Sequence, residues 1–286
     1  IIFKVNNKNI YICYIYMKNI AIITGGDSDE YEISLKSAET VFKNIDRSKF
    51  NPYVIEIKNN IWKLKVNNSY KVIDSELKLT IDKEKIIFKD VFMALHGPPA
   101  ENGELQILFE KQNINFTCCG SEISELTFNK FKCNKVLKNL GFNIAKSILI
   151  KSENYTQEEI LKQVDLPFIV KPNQAGSSNG ISLVKNLSEL EKATSLAFKH
   201  DNEVIIEEYI DGTEVSCGVF KIKEEIILLP ITEIISENEI FDYEAKYNNK
   251  SKEITPARIS KILTDDIHLI SKNIYEKINL RGICRI

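Results

Sequence analysis

The fifteen residues LPFIVKPNQAGSSNG, from Leu166 to Gly180, restrict this chain more than any other stretch. Phe168, Ile169 and Val170 are a brief apolar run bounded by proline and polar residues, the pattern of a buried strand. Lys171 ends the run, and Pro172 has no N–H with which to continue a ladder. Asn173 to Gly180 is then a loop of small residues, and Ile181 to Val184 reads as the returning strand. Small residues let backbone N–H groups close around an anion. An ordinary hairpin loop with one exposed lysine satisfies the same pattern. A P-loop does not, because Lys171 precedes the glycines and no G-K-[ST] follows.

The rest of the chain supplies the context. Its 286 residues suggest about two domains. Ile20 to Ile23 reads as a strand broken by Gly25-Gly26, Tyr31 to Asn44 as a helix, and Tyr53 to Ile57 as the next strand. Asn59 to Lys89 is irregular, with strand candidates at Trp62 and Ile73. Val91 to Leu95, a helix at Leu105 to Gln112 and a strand at Asn115 to Cys118 continue the alternation. Alternating strand and helix predicts a parallel α/β domain, with ligands at the carboxyl ends of its strands. Beyond Cys119 the pattern predicts a lysine-studded helix over Phe128 to Leu140, a strand at Ile148, and a helix opened by a Ser188/Glu191 capping box. A strand over Val204 to Ile210, a hairpin over Glu214 to Ile234, a helix over Thr264 to Leu280 and a strand at Ile283 to Ile286 follow. Residues 1–16 are β-prone and lack the apolar block and cleavage site of a signal peptide. Met17 reads as the native start and the preceding segment as an upstream extension; a real N-terminal strand is the alternative.

A net charge of −2 gives no bulk electrostatic case for nucleic acid or membrane binding. No run approaches the roughly 18 apolar residues of a membrane span. The six cysteines form no C-x-x-C pair, so reduced thiols are expected rather than disulfides or zinc.

Four more stretches carry side chains suited to chemistry. GGDSDEYEIS places Glu30 at a strand-to-helix junction, where a helix N-terminus favours anions; plain helix-start chemistry also accounts for its acids. LHGPPAENGELQ puts His96 at a strand's carboxyl end, either as a site residue or as a hydrogen-bonded structural histidine. IIEEYIDGTEVS ends an apolar strand in Glu207, Glu208, Tyr209 and Ile210, an extended segment able to line a purine edge, and Glu214 is able to bond ribose hydroxyls or to sit on the surface. FDYEAKYNNKSKEITPA is a polar loop with aromatic insertions, a lid candidate carrying Lys246 and Tyr247.

In order and spacing these stretches, with Lys130 and the closing RGICRI, resemble the D-alanine–D-alanine ligase family of ATP-grasp enzymes, from Met17 to Ile286. The resemblance implies an α/β chain with an N-terminal parallel α/β (pre-ATP-grasp) domain over 17–118. An ATP-grasp fold of two α+β subdomains would follow, at 119–207 and 208–286, the last incomplete. It implies ATP-dependent joining of two D-alanines through an acyl phosphate, for peptidoglycan precursors, in the cytoplasm. By resemblance Glu30 would hold the first D-alanine's ammonium, with His96 near the same pocket. Lys130, Lys171 and Lys246 would grip ATP phosphates, Glu207 to Ile210 would line the adenine, and Glu214 would take the ribose. Ser177 and Tyr247 would link to Glu30, and Arg285 would stabilise the acyl phosphate and the oxyanion.

Two departures accompany the resemblance. The turn after His96 is Pro98-Pro99-Ala100 rather than glycine-rich, which bears on the second substrate. The family's ligands for Mg²⁺ (or Mn²⁺) are expected beyond Ile286, so the chain as given is expected to be inactive, with none of its own residues ligating metal. Alternatives are a D-alanine–D-lactate or other carboxylate–amine ligase, or a non-catalytic nucleotide-binding remnant. Homodimers, common in the family, are not legible here.

Overall fold

A computed structural model describes residues 2–5, 8–11, 17–66, 69–81, 84–151, 155–236 and 251–286. The chain divides into two units. One comprises Ile1–Asp27, Tyr31–His96 and Phe109–Phe116; the other comprises Ser28–Glu30, Gly97–Leu108 and Thr117–Ile286.

In the first unit β1 (Ile2–Val5) and β2 (Lys8–Tyr11) pair as an antiparallel hairpin. The apolar run in β3 (Lys18–Gly25) is buried from Ile20 onward and occupies the interior of a six-stranded sheet. Helix α1 (Tyr31–Asn44) covers it, packing Ala38 and Val41 against Ile22, Val54, Phe92 and Ala94. Fully burying a side chain the size of Ile22 contributes roughly 1.5–3 kcal/mol. After β4 (Phe50–Lys58) come β5 (Ile61–Val66) and β6 (Ser69–Ile73), then a separate hairpin of β7 (Lys78–Ile81) and β8 (Glu84–Ile87). The stretch expected to be irregular is therefore largely strand. It lacks a sharp period of two because β6 is exposed along most of its length. β9 (Asp90–Met93) and β10 (Asn115–Phe116), between which helix α2 (Glu104–Lys111) lies in sequence, complete the sheet in the order β10-β9-β3-β4-β5-β6. β10, β9, β3 and β4 are parallel, as the alternation predicts, and β5 and β6 are antiparallel.

The second unit begins with α3 (Ser121–Phe128) and α4 (Lys130–Asn139). The single helix expected over Phe128 to Leu140 is thus broken at Asn129. That residue takes extended backbone angles and caps α4, its side chain accepting the Lys132 N–H at 2.9 Å. β11 (Ser147–Ile150), α5 (Gln157–Leu161), β12 (Phe168–Pro172), β13 (Ser182–Val184), α6 (Leu190–Ala197) and β14 (Val204–Glu208) follow. The strands form an antiparallel sheet ordered β11-β14-β12-β13. The expected capping box is displaced. Asn186 and Glu189 form it, opening a short 3-10 turn ahead of α6, because Glu189 accepts from the Lys185 and Asn186 N–H groups.

The stretch expected as one hairpin over Glu214 to Ile234 is four strands in two sheets: β15 (Glu214–Ser216), β16 (Gly218–Ile222), β17 (Glu225–Leu228) and β18 (Thr232–Ser236). β19 (Ser251–Ile254), α7 (Lys261–Lys277) and β20 (Cys284–Arg285) finish the chain. The sheets are ordered β15-β18-β19 and β17-β16-β20. The split falls at Cys217, whose backbone exchanges both hydrogen bonds with Ile286 and so leaves the local ladder. Cys217, Val219, Ile231 and Tyr275 form the core there. Among the described residues, no helix is long and apolar enough to cross a membrane.

Candidate active site

The register of β12 against β14 sorts side chains between two faces. Phe168, Val170 and Pro172 lie opposite Glu208, Ile206 and Val204, and Phe168, Val170, Val204 and Ile206 pack on Ile160, Leu190, Ala193 and Ala197. Ile169, Lys171, Ile205 and Glu207 alternate with them and point the other way. Lys171 and Glu207 are diagonal neighbours on that second face and form a short ion pair, with their side chains 19% and 14% exposed. The lysine is thereby held extended at the base of the Gly/Ser loop.

Lys130 reaches the same loop from α4. Its ammonium donates to the carbonyls of Asn173 at 3.2 Å and Ala175 at 2.8 Å. The loop itself contains Ser177 and Ser178 in the left-handed region, at φ 53° and 56°, a conformation costing L residues about 1 kcal/mol or more each. Gly180, at φ 74°, closes the turn so tightly that a Cβ would meet Pro172 Cγ at 3.0 Å and the His200 ring at 2.8 Å. Ser177 is buried.

The segment Ser28–Glu30 lies on this loop. A Cβ on Gly176 would fall 2.5 Å from Glu30 Oε2, and one on Gly97 would fall 3.3 Å from the same oxygen. Two residues without side chains therefore seat the carboxylate. Asn179 Nδ2 also donates to Asp29 Oδ2 at 2.8 Å. The structure brings Glu30, Lys130, Lys171, Glu207 and the loop bearing Ser177 into one region of this unit.

The remaining candidates are placed separately. Glu208 ends β14 and donates its N–H to the Lys146 carbonyl; Tyr209 N–H donates to the Pro167 carbonyl; Ile210 is exposed. Glu214 is exposed on β15, and Arg285 is exposed on β20 opposite Gly218. Beside β20, Cys119 Sγ packs 3.8 Å from Cys284 Sγ, and Arg281 Nε donates to the Cys118 carbonyl. Lys246 and Tyr247 lie outside the described residues. In the first unit, His96 Nε2 is 2.8 Å from Ser37 Oγ of α1, which orients the imidazole, and the His96 backbone N–H donates to Ser34 Oγ at 2.9 Å.

Three features have no counterpart in the sequence reading. Asn173, with no exposed surface, hydrogen-bonds Glu203 and Phe131. Glu203 is held below the usual carboxylate range chiefly by Lys151, and also by Asn173, against the opposing effect of burial. Buried Glu233 accepts from Arg258 Nε, Nη2 and backbone N–H, and this pairing draws its carboxyl down to about 2. Glu233 reads from sequence only as a lone acid in an apolar strand, and Glu203 as one more polar residue after Asp201-Asn202. Among the described residues, no group of three or more His, Cys, Asp or Glu side chains converges to hold a metal ion.

Comparison with known proteins matches this architecture. The family profile described as D-ala D-ala ligase N-terminus matches residues 19–119, and that described as D-ala D-ala ligase C-terminus matches residues 136–286. The D-alanine–D-alanine ligase of Flavobacterium johnsoniae is 47% identical over 272 residues, covering 94% of this chain and 84% of that protein. The ligase of Azobacteroides pseudotrichonymphae is 43% identical over 275 residues, covering 94% and 85%. Among solved structures, the VanG D-Ala:D-Ser ligase of Enterococcus faecalis superposes with a TM-score of 0.82 at 34% identity, covering 94% of this chain and 85% of that one. The D-alanine–D-alanine ligase of Bacillus anthracis gives 0.75 at 28% identity, covering 94% and 81%. The parallel sheet of the first unit, the antiparallel sheets of the second and these matches together make the chain a member of the D-alanine–D-alanine ligase family, an enzyme family of ATP-grasp fold that joins its substrates at the expense of ATP.

Proposed function

We propose that this protein joins two D-alanines into D-alanyl-D-alanine for peptidoglycan precursors, in the cytoplasm where ATP is supplied, with residues 17–118, 119–207 and 208–286 as its three functional parts. The observation that carries this reading is the seating of Glu30 on Gly176, in the loop that also engages Lys130 and is based on Lys171. An amino-acid ammonium and a polyphosphate need opposite charges close together, and this cluster supplies both.

A carboxylate resists nucleophiles because of its charge, and ATP supplies the activation by phosphorylating it. Glu30 takes the ammonium of the first D-alanine and so presents its carboxylate toward the Gly/Ser loop. Lys130 and Lys171 meet phosphate oxygens as compact charges, exchanging the Ala175 carbonyl and the Glu207 carboxylate for nucleotide. Glu207 is then available to the adenine edge. Glu208 to Ile210 form the hinge at the adenine, and of these Ile210 offers its N–H there, since those of Glu208 and Tyr209 are engaged. Glu214 takes the ribose. Ser177 connects loop and substrate, and the family resemblance gives His96 a substrate role and Tyr247 and Lys246 a part in excluding water. Arg285 neutralises charge on the acyl phosphate and on the tetrahedral oxyanion left by the second amine's attack. None of these roles is routed through a metal ion.

D-alanine-dependent release of ADP and phosphate, with D-alanyl-D-alanine identified by mass spectrometry, tests the reading. ATP turnover indifferent to D-alanine would refute it. Ser177→Ala is expected to impair D-alanine use more than nucleotide binding; equal loss counts against the assignment. Because a relative of the same fold is a D-Ala:D-Ser ligase, D-serine and D-lactate offered beside D-alanine identify the second substrate.

A further inference from the structure

Asn173 has no exposed surface, whereas Lys130, Lys171 and Glu207 around it are half-buried. Its backbone N–H donates to the Glu203 carbonyl at 2.8 Å, and its carbonyl accepts from the Lys130 N–H and ammonium, each at 3.2 Å. Its side chain bridges two elements. Oδ1 accepts from the Phe131 N–H at 2.9 Å, and Nδ2 donates to Glu203 Oε2 at 2.7 Å.

These bonds answer a specific need of α4. The first amides of a helix have no partner within it. Here Lys130 N–H is satisfied by the Asn173 carbonyl, Phe131 N–H by its side chain, and Lys132 N–H by Asn129. Two of the three caps come from a different segment, the base of the Gly/Ser loop. The carboxamide suits this place because it must accept on one atom and donate from the other. An aspartate would accept from Phe131 but would set a second carboxylate against Glu203. Glu203 is anchored in turn by Lys151 at 2.7 Å.

We propose that Asn173 is a positioning residue of the nucleotide site: paired with Glu203, it clamps the first turn of α4 to the loop base and so fixes the Lys130 ammonium. The proposal rests on the reading of Lys130 as a phosphate ligand.

The test uses the whole protein with magnesium and the non-hydrolysable analogue AMP-PNP, with Kd read by calorimetry and thermal unfolding beside it. Lys130→Met reports on the site itself. Asn173→Ala and the isosteric Asn173→Asp are each expected to raise Kd about tenfold, and KM for ATP with it, while KM for D-alanine holds. Asn173→Asp combined with Glu203→Gln restores the pair with donor and acceptor exchanged, and is expected to return Kd to within about twofold of the parent. A purely structural role would lower the melting temperature without moving Kd. Weakened binding in Lys130→Met with unchanged binding in both Asn173 variants overturns the proposal and leaves the site reading intact. Failure of the paired variant to recover binding also overturns it. Unchanged binding in Lys130→Met removes the phosphate role of Lys130, and the proposal falls with it.

Discussion

Glu30 and Gly176 meet with no side chain between them: a Cβ at position 176 would lie 2.5 Å from Glu30 Oε2. Position 176 lies outside the left-handed backbone region, so an alanine there tests the contact rather than backbone strain. Gly176→Ala should displace the carboxylate. A displacement near 1 Å at a reacting centre costs on the order of 100-fold. Steady-state kinetics should show at least a tenfold loss in kcat/KM for D-alanine, with AMP-PNP affinity little changed. Unaltered D-alanine kinetics would remove Glu30 from the substrate site.

The Lys171–Glu207 pair is largely enclosed. Removing one charge strands the other, at a cost on the order of 3 kcal/mol. Lys171→Met should therefore unfold at lower denaturant than the parent, and adding Glu207→Gln should recover much of the loss. Nucleotide binding should remain weak in both. Recovery of binding in the double variant would mean that Lys171 is structural only.

Arg258 draws the Glu233 carboxyl down to about 2, against about 4.3 in an unfolded chain. Since the folded value is the lower one, the pair stabilises fully above the unfolded value. Its contribution fades as pH falls from there through about 2. Unfolding measured between pH 6 and pH 3 should fall less steeply in Glu233→Gln than in the parent. Parallel pH profiles would sink the assignment.

Ser37 Oγ sits 2.8 Å from His96 Nε2. Ser37→Ala leaves the imidazole less constrained. Loss of about 1 kcal/mol, roughly fivefold, is expected in kcat/KM for D-alanine, and Ser37→Thr should retain most of the activity. Equal activity of all three would show that the hydroxyl does not orient His96.

Much of this is legible in the sequence. The parallel sheet, α1 and the strand–loop–strand around Lys171 follow from local periodicity, because their apolar runs are short, uninterrupted and bounded by glycine or proline. The break at Asn129 was not, because an asparagine inside a helical pattern reads equally as interior or as cap until Lys132 is seen bonding to it. The division of the Glu214–Ile234 stretch between two sheets depends on Cys217 pairing with Ile286, far away in sequence. Gly176 was legible as a loop glycine, but nothing local says that its missing side chain makes room for Glu30. Asn173 and Glu203 are ordinary polar residues until the fold encloses them together.

The alternation along β12 also bears on how such a chain tolerates change in length. Even-numbered residues of that strand build the core, while Ile169 and Lys171 face away from it. A single codon deleted before Lys171 would send its charge into the packed layer against α6 and expose the residues that fill it. Segments 174–175 and 178–179, bounded by fixed points at Asn173, Gly176 and Gly180, carry no such parity. Insertions and deletions in descendants of this gene should therefore spare β12, leaving the strand's phase unchanged.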